Sequence, residues 1–274
     1  MIKIENFEVV GWEHAIRGMR NPMNSWDRSD SGFKGVTEAD VLEDGKIKKQ
    51  LVYYDALGIG PNDHELMMKL ANAGDDHGKA IRYIDVYVDI TAPLYWWKEF
   101  RTYRKGRKFM DDGDDFLDPD ALEPHIETNS CSTMHKIHEK EFTIEDFSCE
   151  QLLSLDCPGA GFDYNCPVRN PENKNELVNG ECVLASMELL KLTVDVLNTY
   201  RYRFLKTKDK KYWWQMIKLL PSSYNQKRTV KLNYQVLKNM YRARKDHKLD
   251  EWREFCKWIE ELPYSEIITG ESNR

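Results

Sequence analysis

The sequence has no long apolar run. No uninterrupted apolar stretch among its 274 residues approaches the ~18 residues that a membrane-spanning helix needs. The first residues, MIKIENFEVVGWEH, carry acids early and contain no apolar core of the kind found in signal peptides. We therefore expect neither a membrane span nor a signal peptide, and we expect a cytoplasmic location.

The sequence also lacks paired cysteines. No C-x-x-C motif occurs, and the cysteine spacings fit no zinc template. The six cysteines are Cys131, Cys149, Cys157, Cys166, Cys182 and Cys256. Five of them lie between residues 131 and 182, so a small disulfide or metal cluster stays open there. Reduced, mostly buried thiols are the simpler interpretation, and we expect no metal site.

Positive charge is not in excess. The formal net charge is −6, from 40 Lys and Arg against 46 Asp and Glu. A general nucleic-acid binder gains affinity by releasing counterions from phosphates, which requires a basic surface, so this class is disfavoured. The balance leaves room for a local basic pocket around a nucleotide phosphate. Hydrophobic residues make up 41% of the chain, enough to bury a core.

The patterns of apolar residues indicate a single α+β domain spanning 1–274. Alternation predicts strands at Ile2–Val10 and Ile84–Ile90. Helices are predicted at His14–Arg20, His64–Ala73, Glu141–Leu155, Val183–Phe204, Tyr212–Leu220, Thr229–Arg244 and Asp250–Leu262. Two further stretches are interpreted as insertions, an acidic one at about 109–124 and a loop-rich one at about 149–180. The acidic stretch is similar to a calcium loop in composition only, because the ligand spacing is absent.

A central aromatic helix is predicted to follow the second strand. Thr91 is a plausible N-cap and Pro93 suits the first turn. The helix carries several aromatic residues, which favour core packing, and it ends in a cluster of cations. The cations either complement the helix macrodipole or form an anion pocket. The small polar residues of Asn129–His135 suit a loop around a phosphate. A serine nucleophile is an alternative there, although no G-x-S-x-G elbow surrounds it.

The segment Ala92–Gly106, APLYWWKEFRTYRKG, resembles a motif of the flavin-dependent thymidylate synthases (ThyX), A-P-x-x-x-x-x-Q-x-x-R-H-R. The ungapped alignment places Glu99 on the Gln, Thr102 on the first Arg, Tyr103 on the His and Arg104 on the second Arg. This stretch and Asn129–His135 would then be two halves of one nucleotide and flavin site, separated by the acidic insertion.

Other segments resemble the same family in the same order. Asn129 and Ser132 match its S-x-N-E-x-S-x-R motif, in which Met134 replaces the Arg. Ala15–Arg20 resembles its A-x-R-x-x-R start, and His77 lies in the turn before the strand, where the family also has a His. In the second half, Leu219–Tyr224 is similar to L-P-x-x-x-Y. The positions of Asn233, Gln235, Leu237 and Asn239 follow T-x-N-x-R-S-L-x-x-F/N in register, and Ala243–Arg244 then matches the L-R that the family has a helix turn or two later.

The resemblance implies a ThyX-like fold, with an antiparallel sheet, a central helix and a helical second half. It implies a homotetramer that binds FAD and converts dUMP, or a related pyrimidine nucleotide, to dTMP, with methylene-tetrahydrofolate as carbon donor and NADPH as reductant. The implied catalytic residues are Arg244 and Arg104. The implied substrate-binding residues are Asn129, Ser130, Cys131, Ser132, Arg244 and Glu99. The implied cofactor-binding residues are His77, Thr102, Tyr103, Arg104, Asn233, Gln235 and Asn239.

The departures from the family motif leave two hypotheses. Thr102 and Tyr103 replace an Arg–His pair, and Met134 replaces an Arg that would grip phosphate. The first hypothesis is a divergent flavin-dependent thymidylate synthase in which neighbouring cations compensate. The second is a non-catalytic nucleotide-binding or interaction protein that keeps the fold.

Overall fold

The computed structural model describes residues 2–32, 35–43, 46–54, 58–74, 77–103, 126–157, 162–169 and 177–270, with backbone only for the strand residues between 35 and 54 and between 162 and 184. The elements, in chain order, are β1 (Lys3–Val10), α1 (Trp12–Arg20), β2 (Gly35–Glu43), β3 (Lys46–Tyr54), α2 (Pro61–Asn72), β4 (Asp85–Pro93), α3 (Leu94–Phe100), β5 (Glu127–Ser130), β6 (Phe162–Arg169), β7 (Leu177–Leu184), α4 (Ser186–Thr207), α5 (Lys210–Leu219), β8 (Asn225–Asn233), α6 (Tyr234–Arg244), α7 (Asp250–Glu260) and α8 (Glu266–Thr269). The predicted residue Arg104 and the predicted acidic insertion lie outside the described residues.

The chain divides into two compact units. The smaller unit comprises Met1–Lys3, Thr91–Lys98 and Ser130–Lys227, and the larger comprises Ile4–Ile90, Glu99–Asn129 and Arg228–Arg274. The single domain at 1–274 stays a prediction.

A four-stranded sheet with the order β1-β4-β8-β5 supplies the scaffold, and most of its residues belong to the larger unit. In β4, the side chains of Val86, Val88 and Ile90 are fully buried, whereas those of Asp85 and Tyr87 are not. Successive side chains of a strand point to opposite faces, so this alternation places one face of β4 against the core. The predicted strand and its buried face are confirmed.

The helices of the larger unit bury large side chains against one another. Trp252 and Phe255 of α7 and Tyr234 of α6 are fully buried. The Tyr234 hydroxyl donates to the carbonyl oxygen of Pro263 at 2.6 Å, which satisfies its polar end. The predicted helix at Asp250–Leu262 is confirmed as α7.

The smaller unit has its own apolar core, formed between α4, α5 and the segment before them. Its buried members are Ile137, Phe142, Phe147, Leu190, Val194, Leu197 and Met216. Asn198 of α4 holds the backbone of Phe142 at both ends, since its side chain accepts from the Phe142 N–H at 2.9 Å and donates to the Phe142 carbonyl at 2.8 Å. The predicted helices at Val183–Phe204 and Tyr212–Leu220 are confirmed with small shifts of their ends.

Two β-hairpins were not predicted from the sequence. Strands β2 and β3 pair in antiparallel register from Gly35↔Tyr54 to Glu43↔Lys46. Strands β6 and β7 pair in the same manner from Phe162↔Leu184 to Arg169↔Leu177. The interpretation of the second region as a loop is therefore wrong. The proline and asparagines of β6 and β7 are turn formers, but an isolated two-stranded ribbon leaves one edge of each strand unpaired and tolerates them.

Three predicted helix assignments need correction. The first five residues of Thr229–Arg244 belong to strand β8, and the helix begins only after Asn233. Residues Thr91–Pro93 continue strand β4, so the central helix begins at Leu94, whose N–H donates to the Tyr224 carbonyl at 3.0 Å instead of lying free in a first helical turn. The stretch Glu141–Leu155 contains only the 3₁₀ turn Ile144–Asp146, because its N–H groups bond elsewhere, as that of Ser148 does to the Ser223 carbonyl.

Candidate functional site

Helix α6 carries the arginine that the sequence predicts to be catalytic. Asn233 caps the helix, because its side-chain oxygen accepts from the Val236 N–H at 3.0 Å. Arg244 lies in the last turn, where the helix macrodipole favours a cation. The helix thus fixes the position and favours the charge of the guanidinium.

The guanidinium of Arg244 lies against two aromatic rings. Its Cζ atom is 5.4 Å from the ring centroid of Tyr103 and 5.1 Å from that of Trp252, within the range of cation–π attraction. Its Nε atom is buried and has no hydrogen-bond partner within the described part of the chain. A buried donor without an acceptor costs free energy, so this N–H is an available contact for a ligand oxygen.

Glu99 lies at the edge of the same cluster. Its Oε2 atom accepts a hydrogen bond from the Trp252 indole N–H at 2.6 Å and is 4.0 Å from Nη1 of Arg244. The side chains of Arg244 and Glu99 are 20% and 39% exposed, so solvent weakens their attraction. The carboxylate is held in place by the indole, and its contact with the arginine is long.

Aromatic packing keeps this site rigid and partly dry. Phe100 stacks on Trp252 with an interplanar angle of 14°, and Tyr103 meets Trp252 at 65°. Burial raises the pKa of Tyr103 above its ordinary value, and the Arg244 cation offsets part of that effect. Burial also raises the pKa of the nearby Cys256 thiol to about 12. Both groups therefore stay protonated at neutral pH.

The predicted flavin residues of α6 bond to one another. The Gln235 side chain is buried and donates to Oδ1 of Asn239 at 3.3 Å. A methyl group on Gly78 would come within 3.3 Å of the Gln235 side-chain oxygen, so the turn that carries His77 packs close to this residue. His77 itself is exposed. The structure thus brings Gln235, Asn239 and the His77 turn together.

A buried lysine fixes the same region. Lys238 is fully buried, and its Nζ donates to the Ala71 carbonyl at 2.7 Å, to Oδ1 of Asn72 at 3.2 Å and to the Ile267 carbonyl at 3.4 Å. These acceptors lie at the end of α2 and on α8. A cation at the C-terminal end of a helix is favoured by its macrodipole, so Lys238 holds α2 just before the His77 turn. The sequence analysis did not identify this role.

The predicted phosphate residues form an exposed segment at the end of β5 and directly after it. Asn129 is the last residue of this segment that belongs to the larger unit; Ser130, Cys131 and Ser132 belong to the smaller one. The Ser132 hydroxyl oxygen lies 3.3 Å from the N–H groups of both Met134 and Lys136, and it accepts from them. Cys131 is a free thiol. The serine is thus used within its own turn, and its role toward a phosphate stays a prediction.

Two of the predicted site residues occupy other positions. Thr102 is exposed, and its hydroxyl donates to the Glu99 carbonyl at 2.7 Å, which closes the 3₁₀ turn after α3. Arg104 lies outside the described residues. Trp252, which contacts Glu99, Tyr103 and Arg244, lies in a predicted helix but was not predicted as a site residue. Nothing local marks Trp252 as a site residue, because it reaches the cluster from a different helix.

A second polar cluster lies at the start of α2. Asp63 is fully buried, and Oδ1 of its carboxylate accepts from Nε of Arg20 at 2.6 Å. Its other oxygen accepts from the hydroxyls of Ser29 and Ser31 at 2.7 and 2.6 Å. Burial acts to raise the pKa of Asp63, but the hydrogen bonds from the serines and Arg20 outweigh it and hold the pKa below its ordinary value. A pocket of about 650 Å³ adjoins this cluster, with Arg20, Arg28 and Lys69 in its lining.

Among the described residues, no group of three or more His, Cys, Asp or Glu side chains could hold a metal ion. None of the helices in the described ranges is both long and apolar enough to cross a membrane.

Comparison with known proteins identifies the fold of this chain. No protein-family model matches the sequence, and no curated protein does. ThyX from Helicobacter pylori, solved with FAD and dUMP, is similar with a TM-score of 0.54 at 14% identity, over 97% of this chain and 96% of that one. The UMP/dUMP methylase PolB from Streptomyces cacaoi, bound with 5-Br dUMP, is similar with a TM-score of 0.52 at 12% identity, over 98% and 94% of the two chains. The fold predicted from the sequence motifs is therefore confirmed: this chain has the α+β fold of the flavin-dependent thymidylate synthases.

Proposed function

We propose that the protein is a flavin-dependent enzyme that methylates a pyrimidine nucleotide. The observation that carries the proposal is the Arg244 guanidinium, which lies against the rings of Tyr103 and Trp252 and whose buried Nε–H has no partner within the described residues. The fold supports it, because ThyX and PolB have been solved with pyrimidine nucleotides. The finer proposal is thymidylate synthesis, in which dUMP becomes dTMP with methylene-tetrahydrofolate and NADPH, and a homotetramer is proposed with it.

Arg244 is proposed to polarise the pyrimidine. A fixed cation with a free N–H stabilises negative charge that develops on a ring carbonyl oxygen, and it does so most strongly where water is excluded. The rings of Tyr103 and Trp252 restrict the guanidinium and shield it from solvent, so little reorganisation is needed when the nucleotide binds.

The residues present fit a flavin-linked site in part. Bound FAD would supply the hydride that reduces the pyrimidine adduct, so the chain needs no nucleophile of its own. The unpartnered Nε–H of Arg244 suits a ligand beside the aromatic rings. Gln235, Asn239 and the His77 turn would hold the flavin, with Asn233 fixing the start of their helix.

The non-catalytic alternative is favoured by one set of observations. Gln235 and Asn239 bond to each other, and the Ser132 hydroxyl is used within its own turn. Groups that are satisfied inside the chain have less to gain from a ligand. A protein that binds a pyrimidine nucleotide without a flavin would keep the Arg244 cluster and need neither of these groups.

A flavin and turnover assay tests the proposal. We expect the purified protein to show a flavin spectrum, or to acquire one on addition of FAD, and to release tritium from dUMP or UMP labelled at C5 when NADPH and methylene-tetrahydrofolate are present. Comparison of the two nucleotides distinguishes thymidylate synthesis from methylation of a ribonucleotide. A protein that takes up no flavin but binds dUMP in calorimetry would establish the non-catalytic alternative instead.

Two arginines of one helix give a matched pair of variants. Arg244→Met should lower kcat/KM by about 10²-fold or more, the usual loss on removing one group that stabilises transition-state charge. Arg242→Met removes an exposed cation two residues earlier and should stay within about twofold. Equal activity of the two variants would show that Arg244 does not act on the substrate.

A further inference from the structure

The end of the α4–α5 hairpin concentrates positive charge in an acidic chain. Residues 201–218, called the basic tip below, contain seven Lys and Arg residues and a single carboxylate, whereas the whole chain has a formal net charge of −6. The cations are Arg201, Arg203, Lys206, Lys208, Lys210, Lys211 and Lys218. The function proposed above uses none of them.

The local fold presents six of these cations to solvent, whereas the half-buried Arg201 donates to the carbonyls of His138 and Glu139. Helix α4 ends at Thr207, Lys208 reverses the chain with a φ of 56°, and α5 begins at Lys210. Asp209 caps α5 by accepting from the Lys211 N–H at 3.0 Å, and its carboxylate also pairs with the Lys211 ammonium at 3.0 Å. The only acid of the tip is therefore committed. Lys206, Lys208 and Lys210 are exposed and have no carboxylate partner within the described residues.

Flat aromatic rings lie between the cations. The side chains of Tyr202 and Trp214 are 55% and 48% exposed. Lys206 lies 4.3 Å from the ring centroid of Tyr202, and Lys218 lies 5.7 Å from that of Trp214. Exposed rings of this size are costly to leave in water and are usual in binding surfaces.

We propose that the basic tip binds single-stranded nucleic acid. Lysines that track a phosphate backbone, together with aromatic rings on which bases stack, are the two components of sequence-tolerant single-strand binding. An anionic membrane would also attract the lysines, but insertion needs an apolar tip. The turn itself, residues 206–211, reads KTKDKK and contains no apolar residue.

This inference departs from the expectation based on net charge. Counterion release depends on the phosphates that a local surface contacts, and the Debye length of about 8–10 Å at physiological salt screens the acids on distant faces. A net charge of −6 therefore does not exclude a basic tip. The inference is independent of the proposed nucleotide site, since it uses no residue of the Arg244 cluster.

Fluorescence anisotropy with a labelled oligothymidylate of about 20 nucleotides tests the inference at ~50 mM salt. The triple variant Lys206→Glu, Lys208→Glu, Lys210→Glu should bind at least about tenfold more weakly, and its slope of log affinity against log salt should be smaller by about 2, at about 0.7 per phosphate contact. Trp214→Ala should weaken binding by about 5- to 100-fold through lost stacking.

A matched triple variant distinguishes binding by the basic tip from an effect of net charge on affinity. Lys79→Glu, Lys98→Glu, Lys257→Glu changes the same number of exposed lysines outside the tip and should keep affinity within about twofold. Circular dichroism of each variant checks its folding. The proposal is overturned if the unmodified protein does not bind, if both triples lose affinity equally, or if polyglutamate competes as well as the oligonucleotide. Binding to phosphatidylserine vesicles without binding to the oligonucleotide would also overturn it, in favour of a membrane surface.

Discussion

Two of the arginine–carboxylate pairs in the larger unit differ in character. Arg20 and Asp63 are 2.6 Å apart, with side chains only 5% and 0% exposed. Arg244 and Glu99 are 4.0 Å apart, with side chains 20% and 39% exposed. Both pairs join a guanidinium to a carboxylate. The buried Arg20–Asp63 pair is called the closed pair below, and the partly exposed Arg244–Glu99 pair is called the open pair.

The hydrogen bonds made by the two pairs differ as well. Asp63 accepts from Arg20 and from two serine hydroxyls, and Arg20 also donates to the Ser25 carbonyl at 3.2 Å. Arg244 keeps a buried Nε–H without a partner in the described chain. A fully satisfied buried pair holds a fold together, whereas a pair with an unused donor can bind something else. We therefore assign the first pair to stability and the second to ligand binding.

The largest expected effect is on the free energy of unfolding, when the same substitution is made at both arginines. Arg20→Met should lower the free energy of unfolding by about 3–5 kcal/mol, because it leaves the buried Asp63 carboxylate without its cation. Arg244→Met should lower it by no more than about 1 kcal/mol, the loss of partly exposed cation–π contacts. Urea denaturation of the two variants measures both values. Similar losses at the two sites would refute the division between a closed and an open pair.

An added methyl group beside the closed pair should also destabilise the protein. A methyl group on Gly60 would lie 2.2 Å from Cγ of Asp30, the residue whose carboxylate accepts from the first N–H groups of α2. Gly60→Ala should therefore cost about 1–3 kcal/mol of unfolding free energy through overpacking. Gly18→Ala, in α1 with no atom within 4 Å, is the control and should stabilise the protein by about 0.5–1 kcal/mol through helix propensity. Thermal denaturation of both variants decides the matter, and a tolerated Gly60→Ala would show that the cluster is loosely packed.

Some elements of the fold could be predicted from the sequence, and others could not. Elements with their own period, such as β4 and α7, were predicted because burial of one face leaves a local pattern. Strand β8 was taken for helix, since buried Gln226 and Arg228 hide the alternation that Val230 and Leu232 continue. Strand pairing across the chain fixes β8, and no local window contains that information.

The candidate site could likewise be predicted only in part. Glu99, Tyr103 and Arg244 came from motif positions, and the structure brings these three together. Trp252 was missed because it joins them only through the packing of α7. The closed pair of Arg20 and Asp63 was missed as well. Their partnership joins residues 43 apart in sequence.

Acid should weaken the closed pair specifically. The pKa of Asp63 is lowered by its hydrogen bonds, so its contribution to stability is complete above the ordinary value of 3.8 and is lost as pH falls through the lowered pKa. The unfolding free energy of the unmodified protein should therefore fall more steeply below about pH 4 than that of Asp63→Asn. Ser31→Ala, which keeps the carboxylate but removes one donor, should raise the folded-state pKa of Asp63, so that its acid-induced loss of stability is smaller and ends at a higher pH. Parallel curves for all three proteins would contradict the assignment.

The smallest effect on stability is expected at the open pair, from Glu99→Gln. The amide oxygen can still accept from the Trp252 indole, and an exposed pair at 4.0 Å contributes little, so stability should change by less than about 0.5 kcal/mol. Removal of the carboxylate frees Arg244 for an anion, so dUMP should bind about two- to fivefold tighter in calorimetry. The gain should shrink at high salt, because screening weakens the contact that is removed. Glu254→Gln on α7 is the matched control and should leave affinity unchanged. Weaker binding by Glu99→Gln would mean that the carboxylate accepts a hydrogen bond from the nucleotide itself, and the open pair would then be a two-sided ligand clamp instead of a single cation.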